Sequence, residues 1–372
     1  MHWGKGGRLD FLLKSVFLVI IGVAVISCGN GSGNPDKPAR SGSVLNPGLS
    51  GYLVLEYKRR LWKISLSTGR VSKISEEEVV PLGSAYLSPA AYTGDEFVMA
   101  VNRCIPGRVV SCIFILDKNA KEITWFDIPN GSIKGAPKLS RDRQYVAFEI
   151  EYGGGNIYLE IYDRSGNLIS DDFLGTSGVR LYIDWLRDGS LVYSNYHDDV
   201  SRKIYVTSPY SAKVVRDLTL PAGLEGKVGE IVASPDGKQL VFSIVDQGSV
   251  ATTAATPWVV NVDGSNFHQL AVDPHAGDGE LTYINDPKWS SDGKWILVRY
   301  GGAIGGGISN PGTAGYLFAV PSDGVNVPLS PYDDSIETTA IPVYHYWLSD
   351  VMNINAPADN RLSNLQDYDW IL

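Results

Sequence analysis

The 372-residue sequence has little of what several common chemistries require. Its net charge is −9 and no cluster of lysine and arginine stands out, which disfavours nucleic-acid binding. It has no Gly-x-Ser-x-Gly motif, so it lacks the nucleophile turn of an α/β-hydrolase. The glycine run at residues 302–307 lacks the Gly-Lys-Ser/Thr ending of a phosphate-binding loop. Only five histidines are present, and we expect neither a metal centre nor a cofactor.

The N-terminus has the features of a bacterial export signal. Basic residues precede an apolar stretch at residues 15–26, which is shorter than the roughly 20 residues of a membrane-spanning helix. Ser27 and Cys28 follow it, and this boundary resembles the bacterial lipobox. The resemblance implies that residues 1–27 are removed and that Cys28 is acylated. The protein is then lipid-anchored, in the outer membrane if the cell is Gram-negative, with its folded part in the periplasm or at the surface. The alternative is an uncleaved anchor helix with a chance cysteine.

The remaining chain divides into a tether and a folded part. Residues 28–48 are rich in glycine, serine and proline and have no apolar periodicity, which predicts a flexible tether before a domain at 49–372. Cys104 and Cys112 lie near the facing ends of two consecutive predicted strands. Paired strands hold Cα atoms within disulfide range, and exported chains meet oxidising conditions. We therefore predict a Cys104–Cys112 disulfide.

Two short patterns alternate along the folded part and predict an all-β repeat protein. The first is an alternating apolar strand that ends in a turn residue, and it occurs at residues 61–69, 113–119, 157–166, 203–209, 258–264 and 316–324. The second is an Asp-containing turn before another apolar strand, with Asp142, Asp188, Asp236 and Asp292. Their spacings of 46, 48 and 56 residues match the size of a four-stranded propeller blade. Because they recur once per blade, we interpret these aspartates as turn formers.

These repeats resemble a known family. Ala233-Ser-Pro-Asp-Gly-Lys-Gln-Leu-Val-Phe and Trp289-Ser-Ser-Asp-Gly-Lys-Trp-Ile-Leu-Val are similar to the TolB-like propeller repeat. The resemblance covers residues 51–350 approximately and implies a six-bladed β-propeller. TolB itself has an α/β domain before its propeller, whereas only the tether precedes the first strand of this sequence, so the resemblance does not imply a role in the Tol–Pal system.

Closure of the ring is also predicted by the repeats. The first blade lacks a preceding strand with the turn pattern, and Tyr346-Trp-Leu-Ser-Asp350 matches Asp184-Trp-Leu-Arg-Asp188. We therefore expect a C-terminal strand to join the first blade, which removes an exposed sheet edge. The alternative is a seventh, truncated blade made from residues 352–372.

Long connections are concentrated at one end of the predicted propeller, which we call the long-loop face. Its ranges are 102–111, 152–156, 196–202, 246–257, 273–287, 301–315 and 331–341. Loops on a rigid scaffold collect binding residues, and this face is acidic. Its candidate binding residues are Asp198, Asp199, Asp273, Asp278, Asp333 and Asp334. Ordinary solvated loop charge is the alternative. The stretch 273–280 also has oxygen ligands suited to Ca²⁺, but without EF-hand spacing we favour a polar turn.

Three functions remain open on this interpretation. We favour a non-enzymatic envelope lipoprotein that binds a protein or glycan partner through the long-loop face. The alternative is an envelope enzyme, a metal-dependent polysaccharide lyase or hydrolase with a site in the central channel. A small-ligand or cation sensor is the third. Histidines and carboxylates that converge on the channel would favour the enzyme.

Overall fold

A computed structural model describes most of the folded part of the chain. The described residues are 48–57, 60–68, 71–75, 85–89, 94–104, 110–176, 181–195, 202–224, 226–247, 253–275, 282–302, 316–330, 335–344 and 369–371. Residues 1–47, which contain the predicted signal peptide and almost all of the tether, lie outside these ranges. All regular structure within them is β-strand. They contain no helix with the length and apolar character needed to cross a membrane.

The strands form six antiparallel blades. Blade 1 contains β1 (Tyr52–Tyr57), β2 (Arg60–Ser65), β3 (Val71–Lys73) and the C-terminal β27 (Asp369–Ile371). Blade 2 contains β4 (Ala85–Pro89), β5 (Glu96–Asn102), β6 (Val110–Asp117) and β7 (Glu122–Pro129). Blade 3 contains β8 (Gly131–Ile133), β9 (Lys138–Leu139), β10 (Tyr145–Tyr152), β11 (Asn156–Asp163) and β12 (Leu168–Thr176).

The second half of the ring repeats the arrangement. Blade 4 contains β13 (Leu181–Trp185), β14 (Leu191–Asn195), β15 (Lys203–Thr207) and β16 (Val214–Thr219). Blade 5 contains β17 (Lys227–Ala233), β18 (Gln239–Gln247), β19 (Thr253–Asn261) and β20 (His268–Gln269). Blade 6 contains β22 (Thr282–Trp289), β23 (Trp295–Gly302), β24 (Tyr316–Pro321) and β26 (Ile341–Tyr344). A parallel pair, β21 (Ala271–Val272) with β25 (Val327–Pro328), links blades 5 and 6.

The contacts between first strands show that the ring closes. β27, β4, β9, β13, β17 and β22 contact one another in that order, and β22 returns to β27. Six apolar clusters fill the six interfaces between neighbouring blades. One of them packs Leu53 of blade 1 on Leu297 of blade 6. The predicted six-bladed β-propeller is therefore confirmed.

The closing strand is C-terminal, as predicted, but it is a different segment. β27 pairs antiparallel with β1, with Trp370 opposite Leu53. The predicted segment, residues 346–350, lies outside the described residues. The alternative of a seventh blade from residues 352–372 is contradicted for 369–371, since these residues complete blade 1.

The Asp-containing turns explain why the repeat folds locally. In blade 5, Ser234 Oγ donates to Asp236 Oδ1 (2.7 Å), which also accepts from Lys238 N (3.0 Å). Gln239 N then donates to Ser234 Oγ (2.9 Å), and blades 3 and 6 repeat these bonds. The repeated aspartates therefore close their own turns, as interpreted from the sequence.

Candidate functional site

A charged cluster lies on the inner strands of blades 5 and 6 and on the second strand of blade 6. It consists of Glu230 on β17, Asp286 and Lys288 on β22, and Arg299 on β23. Lys288 and Asp286 are only 6% and 7% exposed. Because charged groups are costly to bury unless they are paired, this concentration requires a specific arrangement. We call these four residues the inner-strand cluster.

Backbone irregularities place the two acids. Glu230 and Asp286 each stand six residues before the turn aspartate of their blade, so they occupy equivalent repeat positions. The pairing of β17 with β18 shifts between Val228 and Ile231, and that of β22 with β23 shifts between Asn285 and Lys288. Asp286 adopts φ +54°, a conformation that non-glycine residues rarely adopt. A bulge in each inner strand therefore redirects an acidic side chain.

The four charges form two ion pairs. Lys288 Nζ contacts Glu230 Oε1, which links blade 6 to blade 5. Arg299 Nη2 contacts Asp286 Oδ2 within blade 6. Burial raises the pKa of Asp286 to about 6, Arg299 opposes this rise, and the neighbouring Glu230 carboxyl adds to it. A buried carboxyl group with a raised pKa beside a second carboxyl can take part in proton transfer. The Lys288–Glu230 pair also joins blade 6 to blade 5.

A second group of polar contacts joins blades 3, 4 and 5. Arg141 Nε donates to Trp185 O (3.1 Å), and its Nη2 donates to Ala233 O (3.3 Å) and Ser234 O (3.2 Å). Asp184 Oδ2 accepts from Ala233 N (2.8 Å), which also crosses from blade 4 to blade 5. Arg141 follows the inner strand of blade 3, and its bonds reach the ends of the inner strands of blades 4 and 5. One arginine therefore links three blades.

The tryptophans of the repeat make equivalent contacts with the preceding blade. Trp185 Nε1 donates to Lys138 O (2.9 Å), and Trp289 Nε1 donates to Val232 O (3.2 Å). Both indoles are almost fully buried. Where blade 5 has Ala233 at this position, Arg141 and Asp184 supply the contact between blades instead. The first position of the repeat motif, which is Ala233 in blade 5 and Trp289 in blade 6, therefore lies at the interface between blades.

Only one of the six predicted loop aspartates lies within the described residues. Asp273 Oδ2 accepts from Tyr300 OH (3.0 Å), and its Oδ1 accepts from His275 N (2.8 Å). Its carboxylate therefore holds the connection after β21 against blade 6. The other five lie outside the described residues: Asp198, Asp199, Asp278, Asp333 and Asp334. The lipidation candidate Cys28 lies outside them as well.

The two remaining cysteines are joined. A disulfide links Cys104 and Cys112, with Cα atoms 5.9 Å apart. Cys104 N also donates to Val110 O (3.2 Å), so the disulfide lies where β5 and β6 separate into their connecting loop. Both ends of that loop are thereby held by the blade.

Two predicted ranges of the long-loop face are wrong in extent, whereas 152–156 has the predicted bounds. β10 ends at Tyr152 and β11 begins at Asn156, and the connection between them is a short turn of three glycines. β18 and β19 extend into 246–257 and leave residues 248–252 between them. β22 begins at Thr282, so Asp286 belongs to an inner strand and not to a loop. In both cases strand pairing continues into residues whose polar composition predicted a loop.

Sequence reasoning missed the inner-strand cluster, although a signal was present. Alignment of the repeats on their turn aspartates places Glu230 and Asp286 at the same position, and Lys288 two residues later. Two acids at one repeat position in adjacent blades predict that they lie close together. Within the described ranges, no group of three His, Cys, Asp or Glu side chains is placed to hold a metal ion.

Comparison with known proteins concerns the fold. No protein-family model matches the sequence, and no curated protein does. Among solved structures, hydrazine synthase from Kuenenia stuttgartiensis is 15% identical with a TM-score of 0.48, covering 79% of this chain and 81% of that one. TolB from Acinetobacter baumannii is 16% identical with a TM-score of 0.46, covering 74% and 62%.

A third similar structure is the periplasmic gluconolactonase PpgL from Pseudomonas aeruginosa. It is 15% identical with a TM-score of 0.45, and the match covers 72% of this chain and 78% of that one. These similar structures carry unlike functions, and similarity at this level says nothing of a chain's ligand or reaction.

Proposed function

We propose that this protein is an exported, lipid-anchored propeller that binds an envelope protein or a glycan through its long-loop face. The observation that carries the proposal is the difference between the two ends of the propeller. Turns from first to second strand and from third to fourth strand leave the blades at one end. Connections from second to third strand and between blades leave at the other.

The short turns use their polar groups internally. Asp163 accepts from Ser165 N (2.8 Å), Asn167 N (2.9 Å) and Asn167 Nδ2 (2.8 Å). Asp263 accepts in the same way from Ser265 N (2.9 Å) and Ser265 Oγ (2.6 Å). Such closed turns have few groups left for a partner, so this end suits packing and not recognition.

Several connections at the opposite end are longer and are attached to the blades, whereas those of blades 1 and 3 are short. β23 ends at Gly302 and β24 begins at Tyr316, which leaves residues 303–315 between them. The Cys104–Cys112 disulfide and the Tyr300–Asp273 hydrogen bond hold two other connections at their bases. Loops held in this way lose less conformational entropy when they bind, which supports a recognition surface.

Site-specific photo-crosslinking tests the proposal. A photoreactive amino acid is introduced at Asp333 in the long-loop face, or at Asp323 in a short turn as the matched control. Cells are irradiated, and adducts are detected by mobility shift and identified by mass spectrometry and glycan staining. We expect adducts from Asp333 and none from Asp323. Adducts from Asp323 alone, or from neither position, would overturn the proposal.

The inner-strand cluster favours a second candidate, an envelope enzyme that uses Glu230 and Asp286 as proton donor and acceptor. Enzymes that cleave polysaccharides use a carboxyl group with a raised pKa for proton transfer, and burial raises the pKa of Asp286. The test is release of reducing ends or unsaturated sugars from envelope polysaccharides. Activity in the wild type that is lost in Asp286→Asn supports the enzyme, whereas equal activity in both proteins rejects this site.

A further inference from the structure

The outer strand of blade 3 is the longest of the six outermost strands that the structure describes. β12 has nine residues and β7 of blade 2 has eight, whereas the outermost strands of blades 1, 4, 5 and 6 have three, six, two and four. β12 pairs with β11 on one side, and among the described strands none pairs with its other side. A long outer strand presents unpaired backbone N–H and C=O groups, and these can pair with another extended chain.

Apolar side chains are exposed along this edge. Leu168, Ile169 and Phe173 are 49%, 45% and 53% exposed. The Phe173 ring packs on Tyr158 with centroids 5.3 Å apart, and Tyr158 packs on Tyr152 at 5.8 Å. Phe173 is therefore both accessible and held in place, which is the character of an anchor side chain at a binding surface.

Two acids lie between these apolar residues. Asp171 is exposed and Asp172 is half-buried, and because they are adjacent in a strand they point to opposite faces of the blade. A second copy of β12 paired antiparallel in a central register would bring two such acid pairs opposite each other. Like charges across strands are unfavourable, so the two acids disfavour self-pairing and favour a basic partner.

We propose that β12 binds an extended segment of a partner protein as an additional strand. The segment has two adjacent basic residues opposite Asp171 and Asp172, with apolar residues on either side that contact Phe173 and Ile169. This surface is on the flank of blade 3 and is separate from the long-loop face. It therefore stands whether or not the proposed function holds.

Two peptides test the proposal by fluorescence anisotropy with the purified full chain. The probe is acetyl-Val-Thr-Val-Lys-Lys-Val-Thr-Val-amide with a fluorescein label, and its counterpart has Glu-Glu in the centre. Each cross-strand charge pair changes affinity by a factor of a few, so we expect about tenfold tighter binding of the lysine peptide. Phe173→Ser should weaken binding of the lysine peptide about tenfold.

Charge reversal gives the sharpest outcome. The double variant Asp171→Lys/Asp172→Lys should reverse the preference, so that the glutamate peptide binds more tightly. Asp127→Lys, on the outer strand β7 of blade 2, is the control and should leave the preference unchanged. The thermal midpoint of each variant checks that the propeller is intact.

Three results would overturn the proposal. They are no binding of either peptide, equal binding of both, and a concentration-dependent dimer that is lost in Phe173→Ser. In the first two cases the two aspartates only protect the edge from pairing, and in the third the occupant is a second copy.

Discussion

Arg141 offers a sharp test of how the blades are held together. Its guanidinium donates to three carbonyl oxygens on two other blades, at 3.1, 3.3 and 3.2 Å. A hydrogen bond from a charged donor contributes about 1.5–3 kcal/mol when well aligned. Two of these bonds share Nη2 and water reaches part of the side chain, so we expect Arg141→Ala to lower the free energy of unfolding by about 2–4 kcal/mol.

Arg143 provides a matched control two residues along the chain. Its Nη2 lies 3.0 Å from Asp95 Oδ2, in an ion pair whose side chains are 33% and 56% exposed. Exposed ion pairs contribute about 0–1 kcal/mol, so Arg143→Ala should cost less than about 1 kcal/mol. Arg141→Lys should recover less than half of the loss, because one ammonium group does not reach carbonyls in different directions.

Equilibrium unfolding in urea measures these differences. The midpoint concentration should fall in Arg141→Ala while the slope stays constant, which shows a change in stability and not in the surface exposed. Equal losses in the Arg141 and Arg143 alanine variants would contradict the role assigned to Arg141. Full stability of Arg141→Lys would show that charge alone, without the forked geometry, is sufficient.

Three further predictions concern the anchor, the disulfide and acid stability. Radiolabelled palmitate should enter the wild type, and equal labelling of Cys28→Ala would reject acylation at Cys28. Free-thiol titration of the unfolded, unreduced, delipidated chain should find no thiol from Cys104 or Cys112, and replacing both by serine should cost about 2–3 kcal/mol. Burial alone would raise the pKa of the Asp236 carboxyl. Hydrogen bonds from Ser234 Oγ and Lys238 N outweigh burial and hold that pKa below 3.8. Its stabilisation is therefore present above about pH 4 and lost as pH falls through the lowered pKa, so Asp236→Asn should flatten the acid limb of a stability–pH curve.

The repeat is encoded locally in the sequence, because each copy is closed by short-range bonds. The bond from Gln239 N to Ser234 Oγ spans five residues, and that from Ser234 Oγ to Asp236 spans two. Such contacts form wherever the short motif occurs, whatever surrounds it. Repeat count, turn positions and the placement of a C-terminal strand in the first blade could therefore be predicted from the amino-acid sequence alone.

The contacts between the blades depend instead on tertiary structure. Lys288 reaches Glu230 across 58 residues of sequence, and Arg141 reaches Ser234 across 93. The angle and spacing of packed blades determine these contacts. Alignment of the repeats places Glu230 and Asp286 in equivalent positions, but the partner of each side chain is not encoded by a short motif. Closure by Asp369–Ile371, and the position of Asp286 in a bulged strand, likewise depend on how far hairpins extend and which edge remains to be paired. Short-range hydrogen bonding made the blades predictable, whereas long-range packing created the charged cluster of blades 5 and 6.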